Sequence, residues 1–186
     1  MDVRTTPISD LLIFEPKAFS DDRGYFMETY NRERYRAAGV LPEFVQDNLS
    51  VSKKGVLRGL HFQLEPWGQG KLVQVVKGRA LDVAVDLRVG SPTFGQHVAV
   101  ELSADNKKQF WIPVGFAHGF VALDDETVFM YKCTNVYAKE HERGLRWNDP
   151  ALNIAWGVQH PIVSEKDAAQ PLLHDVKELF TYKRAP

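Results

Sequence analysis

The chain has 186 residues, 44% of them hydrophobic and 25% charged, enough for one domain with a real core, and a single domain over 1–186 is expected. Lysine and arginine (23) nearly balance aspartate and glutamate (24), which argues against a duplex nucleic-acid binder, since that class carries a basic excess. The one cysteine, Cys133, rules out an intrachain disulfide framework and a cysteine-based zinc site, and no stretch approaches the ~20 apolar residues of a membrane span.

In chain order, short strand-like runs dominate: Gly24 to Tyr30, Phe44 to Val51, Leu57 to Gln63, Leu72 to Val76, Ala80 to Leu87, Gln96 to Leu102, Gln109 to Ile112, Phe116 to Leu123 and Thr127 to Thr134. Turn chemistry separates them at Lys53-Lys54-Gly55, Lys77-Gly78, Gly90-Ser91-Pro92 and Asp124-Asp125-Glu126. Many strands at such spacing predict a mainly β protein built as an antiparallel sandwich or barrel. Three helices are expected at its margins. Asn31 to Ala38 opens on a capping Asn and ends at Gly39. Ser164 to Ala169 opens on Ser-x-x-Asp, a capping-box pattern. Leu172 to Phe180 supplies the last. The start, Met1 to Pro7, lacks the basic and apolar regions of a signal peptide, and a cytoplasmic protein is expected.

Strand parity sorts side chains between a barrel's interior and its outer wall. Gln46 and Asn48 share a face, as do His61 and Gln63, then Lys71, Val73 and Val75, then Phe129, Tyr131 and Cys133. Arg58 has the opposite parity to His61, and a bulge at Gly59 would re-aim one of them.

Two histidine-bearing stretches stand out, Val56-Leu57-Arg58-Gly59-Leu60-His61-Phe62-Gln63 and Ile112-Pro113-Val114-Gly115-Phe116-Ala117-His118-Gly119-Phe120. A metal barrel would carry His-x-His in the first; here Gln63 replaces the second His, and two histidines fall short of the three or four ligands a metal needs. Arg58, His61, Gln63 and Lys71 lie close together on barrel-like strands, and large polar groups enter a barrel only with partners or a ligand. His61 suits a general base, because imidazole titrates near neutrality. Lys71 suits an oxyanion in a dry site, against the plainer reading of a strand-edge lysine. Tyr131 is either a core tyrosine or an acid opposite His61. His118 is either structural at a strand start or part of the site. Asp167 reads by spacing as the fourth position of the Ser164 cap, with orientation of His61 as the alternative. Arg23 sits in a hairpin-like turn that is either solvated or grips a phosphate, and Tyr137 and Phe26 offer flat faces to a base.

Pro113-Val114-Gly115-Phe116-Ala117-His118 resembles the second signature of the cupin barrels, and Arg58-Gly59-Leu60-His61-Phe62-Gln63 the first with its metal ligands altered. With Asp21-Asp22-Arg23-Gly24-Tyr25-Phe26, Gln46-Asp47-Asn48-Leu49-Ser50 and Lys71-Leu72-Val73, the chain from about Phe14 to Tyr182 resembles the dTDP-4-dehydrorhamnose 3,5-epimerase family. The resemblance implies a cupin-like jelly roll, a homodimer, no metal and no cofactor. It implies a dTDP-4-keto-6-deoxy sugar as substrate, epimerised at C3 and C5 on the way to dTDP-L-rhamnose. It makes His61 the base, Asp167 its orienting carboxylate, Tyr131 the acid and Lys71 the residue at the C4 oxygen. Arg23, Glu28, Gln46, Asn48, Arg58, His118, Glu142 and Lys166 fall on nucleotide-sugar contacts, and Tyr137 on the residue that stacks on thymine. Arg23 and Glu28 would reach into the partner subunit's site. Single-site epimerases, ketoisomerases and a catalytically silent sugar-nucleotide-binding cupin share this pattern and stand as the alternatives; a metal-dependent oxygenase is disfavoured by Gln63.

Overall fold

The computed structural model describes residues 1–183. The architecture is mainly β. Sixteen strands follow in order among the described residues: β1 (Asp2–Thr5), β2 (Leu12–Glu15), β3 (Ala18–Asp21), β4 (Gly24–Met27), β5 (Gln46–Ser52), β6 (Val56–Gln63), β7 (Lys71–Lys77), β8 (Arg79–Asp86), β9 (Arg88–Val89), β10 (His97–Ser103), β11 (Gln109–Ile112), β12 (Phe116–Ala122), β13 (Thr127–Cys133), β14 (Glu142–Gly144), β15 (Ile162–Val163) and β16 (Phe180–Thr181). Helix α1 (Arg32–Ala37) lies between β4 and β5, and α2 (Glu165–Ala168) follows β15. Asn31 caps α1 by accepting from the Arg34 N–H, as its residue type predicts.

Two sheets face one another. The first runs β1-β2-β11-β7-β13-β5, the second β10-β8-β12-β6-β14 with β15 added to β6. Apart from that parallel β15 contact, the ladders within both sheets are antiparallel. Inward-pointing Val73, Val75, Ala84, Val100, Phe110, Phe120 and Phe129 fill the space between the sheets. The rings of Phe120 and Phe129 stack in parallel with centroids 4.0 Å apart, joining one sheet to the other at the floor of the barrel. A second cluster covers the back of the second sheet, where Leu57, Phe62, Val83, Val85 and Val121 meet Leu145, Leu152 and Trp156. α1 closes one end through Tyr35, packed with Phe14, Leu72 and Trp111.

The expected helix over Leu172 to Phe180 does not form. Leu173–Asp175 make one 3-10 turn, and the chain then runs extended until Phe180–Thr181 pairs in parallel with Arg88–Val89. Leu173, Val176, Leu179 and Phe180 pack on the cluster behind the second sheet, and the Leu173 N–H donates to Asp149 Oδ2 at 2.6 Å. Apolar spacing that suits a helix is here satisfied by burial on a sheet, so tertiary contact overrides local preference.

Candidate active site

Register brings the inward faces of three strands side by side. Tyr131 of β13 sits between Asn48 and Val73, Cys133 between Gln46 and Lys71, and Phe129 between Ser50 and Val75. The second sheet supplies the facing wall. On β12 and β6, His118 pairs with His61 and Phe120 with Arg58, so that Gly59 and Leu60 together oppose the single residue Gly119. This is the expected bulge. One extra residue on β6 cancels the parity difference, and Arg58 and His61 come to the same cavity. Gly59 has φ +131, and a Cβ there would lie 2.5 Å from Gly119 Cα; the bulge needs glycine for both its conformation and its closeness.

The cavity measures about 570 Å³, in the range for a small-molecule site, and is bordered by Arg58, His61, Lys71, His118, Tyr131, Lys166 and Asp167. His61 Nε2 and Asp167 Oδ1 are 2.6 Å apart, and Asp167 Oδ2 accepts from the Gly59 N–H at 3.3 Å. Asp167 is 5% exposed, and its own N–H donates to Ser164 Oγ. Both readings of Asp167 therefore hold at once. The backbone forms the cap and the carboxylate serves His61; only the reciprocal half of a capping box is given up. Burial alone would raise the Asp167 carboxyl, but the hydrogen bond and charge of His61, with the Gly59 N–H, hold it below its ordinary value. The Asp167 carboxylate thus engages His61 through Nε2 and not through Nδ1.

Lys71 is half-buried, not a strand-edge lysine. Its enclosure pushes the ammonium below its ordinary value, opposed by the nearby Cys133, Asp82 and Glu142. Burial pushes the Tyr131 hydroxyl up, so it keeps its proton at neutral pH, and its ring packs against the core. Arg58 Nε donates to Ser52 Oγ at 3.1 Å, which aims the guanidinium along the wall. His118 is 7% exposed, and its Nε2 lies 2.8 Å from Asp82 Oδ2.

A rim joins four elements above the cavity. Glu142 Oε2 accepts from Lys166 Nζ at 2.5 Å and from the Tyr137 hydroxyl at 2.9 Å. The Tyr137 N–H donates to Gln46 Oε1, whose own amide donates to Asn48 Oδ1. Burial would raise the Glu142 carboxyl, but Lys166 and Tyr137 outweigh it and keep it low.

One expectation is corrected here. Gln63 is not a cavity residue. Its amide donates to the carbonyls of Trp67 and Val136 and accepts from the Ala138 N–H, tying down the loop that carries Tyr137. Arg23 and Glu28 are not brought to the cavity of their own chain. Arg23, with 90% of its side chain exposed, pairs with Asp21 on the β3–β4 hairpin, and Glu28 pairs with Arg34. Sequence reasoning missed Asp82, Ser50 and Ser52. Asp82 had a legible signal: a carboxylate at the same parity as Ala80 and Ala84 inside an apolar strand. Among the described residues, no group of three or more His, Cys, Asp or Glu could hold a metal ion.

The family model described as dTDP-4-dehydrorhamnose 3,5-epimerase matches residues 5–175. The dTDP-4-dehydrorhamnose 3,5-epimerase of Shigella flexneri is 59% identical over 168 residues, covering 90% of this chain and 93% of that one. The enzyme of the same name from Pseudomonas aeruginosa is 56% identical, covering 86% and 89%. Among solved structures, the dTDP-6-deoxy-D-glucose-3,5-epimerase of Legionella pneumophila in complex with dTDP-4-keto-L-rhamnose superposes with a TM-score of 0.96 at 49% identity, covering 98% of this chain and 99% of that one. With the paired sheets and the polar cavity between them, these matches place the chain in the dTDP-4-dehydrorhamnose 3,5-epimerase family.

Proposed function

We propose that the chain converts dTDP-4-dehydro-6-deoxy-D-glucose to dTDP-4-dehydro-L-rhamnose, epimerising C3 and C5 for dTDP-L-rhamnose synthesis. The observation that carries this reading is the His61–Asp167 pair at 2.6 Å, set in one cavity with Lys71 and Tyr131. The hydrogens on C3 and C5 are both α to the C4 ketone, so loss of either as a proton gives an enolate. His61 Nδ1 takes the proton, and Asp167 meets the imidazolium that forms. Lys71 holds the C4 oxygen as it becomes an enolate; one such fixed donor is commonly worth about 3–4 kcal/mol. Tyr131 delivers a proton to the opposite face of the carbon, inverting it, and recovers one from solvent as His61 releases its own. Each inversion balances in protons alone, and the second needs the ring to turn so that the other carbon meets the same base.

The rim fits the nucleotide. Tyr137, 54% exposed, offers its ring to thymine, while Arg58, His118 and Lys166 face the charged and hydroxyl groups of a sugar diphosphate, with Gln46, Asn48 and Glu142 behind them. We further propose a homodimer. The β3–β4 hairpin exposes Phe19, Tyr25 and Phe26, the last 71% open, and the outer face of the first sheet exposes Leu49, Val51 and Val76. Apolar surface of this kind marks an interface, and pairing through it would carry Arg23 and Glu28 into the partner's site. The buried free thiol of Cys133 suits a reducing cytoplasm.

Time-resolved proton NMR of the 4-keto sugar nucleotide in heavy water tests the assignment. The wild type incorporates deuterium at both C3 and C5, and His61→Ala stops it at both. Full-rate exchange in His61→Ala overturns the base assignment; exchange at one carbon only makes the chain a single-site epimerase; binding without exchange makes it a silent binder.

A further inference from the structure

Among the described residues, two buried side-chain polar atoms have no hydrogen-bond partner, Ser50 Oγ and Asp82 Oδ1. The second is the costlier, since an unmatched carboxylate oxygen in an apolar layer opposes folding. Asp82 is fully buried in β8, on the inward face with Ala80 and Ala84. Its other oxygen, Oδ2, takes the Nε2 side of His118 at 2.8 Å. The barrel thus holds two histidine–carboxylate pairs side by side, because His61 and His118 are register partners across β6 and β12.

The groups facing His118 are Asp82 from β8, Lys71 from β7, His61 from β6 and the Phe129 ring from β13. Burial keeps the His118 ring below its ordinary value, so its contact with Asp82 is that of a neutral ring. The groups facing Lys71 are Cys133 and the Tyr131 ring from β13, Asp82 from β8, Glu142 from β14 and His118 from β12. Burial raises the Cys133 thiol, which keeps it uncharged, and Glu142 is already paired with Lys166. Of the carboxylates near Lys71, Asp82 is the one with a buried oxygen that has no hydrogen-bond partner.

We propose that Asp82 is a positioning residue for the reaction: from behind the cavity wall its carboxylate fixes the ring of His118 and keeps the Lys71 amine in its ammonium form. The inference rests on the reading that Lys71 holds the C4 oxygen. A half-buried lysine tends to shed its proton, and a neutral amine is a poor partner for an enolate. A fixed buried carboxylate supplies the counter-charge without competing for substrate.

The test is the pH dependence of kcat for epimerisation in Asp82→Asn. Asparagine is nearly isosteric, and its Oδ1 still accepts from His118 Nε2, so the hydrogen bond survives while the charge goes. Loss of a negative charge makes Lys71 easier to deprotonate. The alkaline limb of the profile therefore moves to lower pH by about one unit, a loss of roughly tenfold above that limb, with KM changed less than kcat. An alkaline limb at the wild-type position, whatever the rate, overturns the proposal and leaves Asp82 a purely structural residue. If Asp82→Asn does not fold, the wild type decides through its 15N histidine spectrum: His118 neutral with hydrogen on Nε2 supports the proposal, and hydrogen on Nδ1 overturns it. Lys71→Met separates the layers. Full kcat in that variant refutes the role of Lys71 itself, whereas a slow Lys71→Met beside an unmoved Asp82→Asn profile refutes only the inference about Asp82.

Discussion

Asp167→Asn isolates the charge behind the proposed base, His61. In the wild type the carboxylate lies 2.6 Å from His61 Nε2 and is almost wholly buried, while 28% of the His61 side chain opens to the cavity. In the proposed mechanism His61 takes a substrate proton, and an imidazolium forms against that carboxylate. Two unit charges ~4 Å apart attract by about 4 kcal/mol at the effective dielectric of a partly buried site. Solvent on the open side of His61 reduces this, and about 2–3 kcal/mol reaches the transition state, so kcat falls roughly 30- to 150-fold. KM moves only a few-fold, because the lost interaction appears mainly as the proton transfers. The asparagine carbonyl can serve His61 or the Gly59 N–H but not both as the carboxylate does, which costs about 1–2 kcal/mol of stability and roughly 2–8 °C in Tm. Deuterium incorporation at C3 and C5 measures the first effect and thermal unfolding the second. If kcat stays within about threefold of wild type in a folded Asp167→Asn, the carboxylate does not assist the base.

Tyr131→Phe removes the proposed acid while keeping the ring, so substrate protons still exchange at His61 but inverted product forms at least tenfold more slowly at one carbon; unchanged product formation by NMR removes Tyr131 from the mechanism. Gly59→Ala forces a Cβ against Gly119 Cα at a left-handed backbone position and should cost about 2–4 kcal/mol in urea unfolding, with Arg58 and His61 pushed out of line; a variant of wild-type stability and activity contradicts the bulge. Asp86 is fully buried; burial opposes its ionisation, yet Arg88, Thr93 and Ser91 hold the carboxyl below its ordinary value of 3.8. Its contribution is therefore complete above that value and lost as pH falls through the lower folded one. Asp86→Asn should cost about 3–5 kcal/mol at pH 7 by leaving Arg88 partly unpaired, and the difference should shrink below pH ~4; an equal difference at pH 7 and pH 3 contradicts the sign. Phe26→Glu on the exposed hairpin should turn the proposed dimer into a monomer by analytical ultracentrifugation and weaken substrate binding at least tenfold; a variant that stays dimeric places the interface elsewhere.

The strand runs from Phe44 to Thr134 were legible because a wall with one buried face imposes a two-residue period on side-chain polarity. That period put Gln46 with Asn48, and Lys71 with Val73 and Val75, on shared faces, and register then makes Gln46, Asn48, Lys71 and Tyr131 neighbours. The helix at Asn31 was legible because capping is local chemistry within four residues. The C-terminal segment was misread for the converse reason. Leu173, Val176, Leu179 and Phe180 have helical spacing, and only the presence of an uncovered sheet face turns them into an extended strap.

Composition, parity and the two histidine stretches by themselves determined a mainly β chain with a polar interior and the candidates His61, Lys71, His118 and Tyr131. Tertiary structure decided between the alternatives that the sequence left open for each candidate. A bulge at Gly59 put Arg58 beside His61, and a carboxylate 106 positions away in sequence came within 2.6 Å of it. Gln63 left the site for a loop, and Asp82 entered it behind His118. Periodicity records which face a residue occupies, because burial acts on each strand separately. Partnership depends on register, bulges and long-range pairing, which are set only when the two sheets close on a common core.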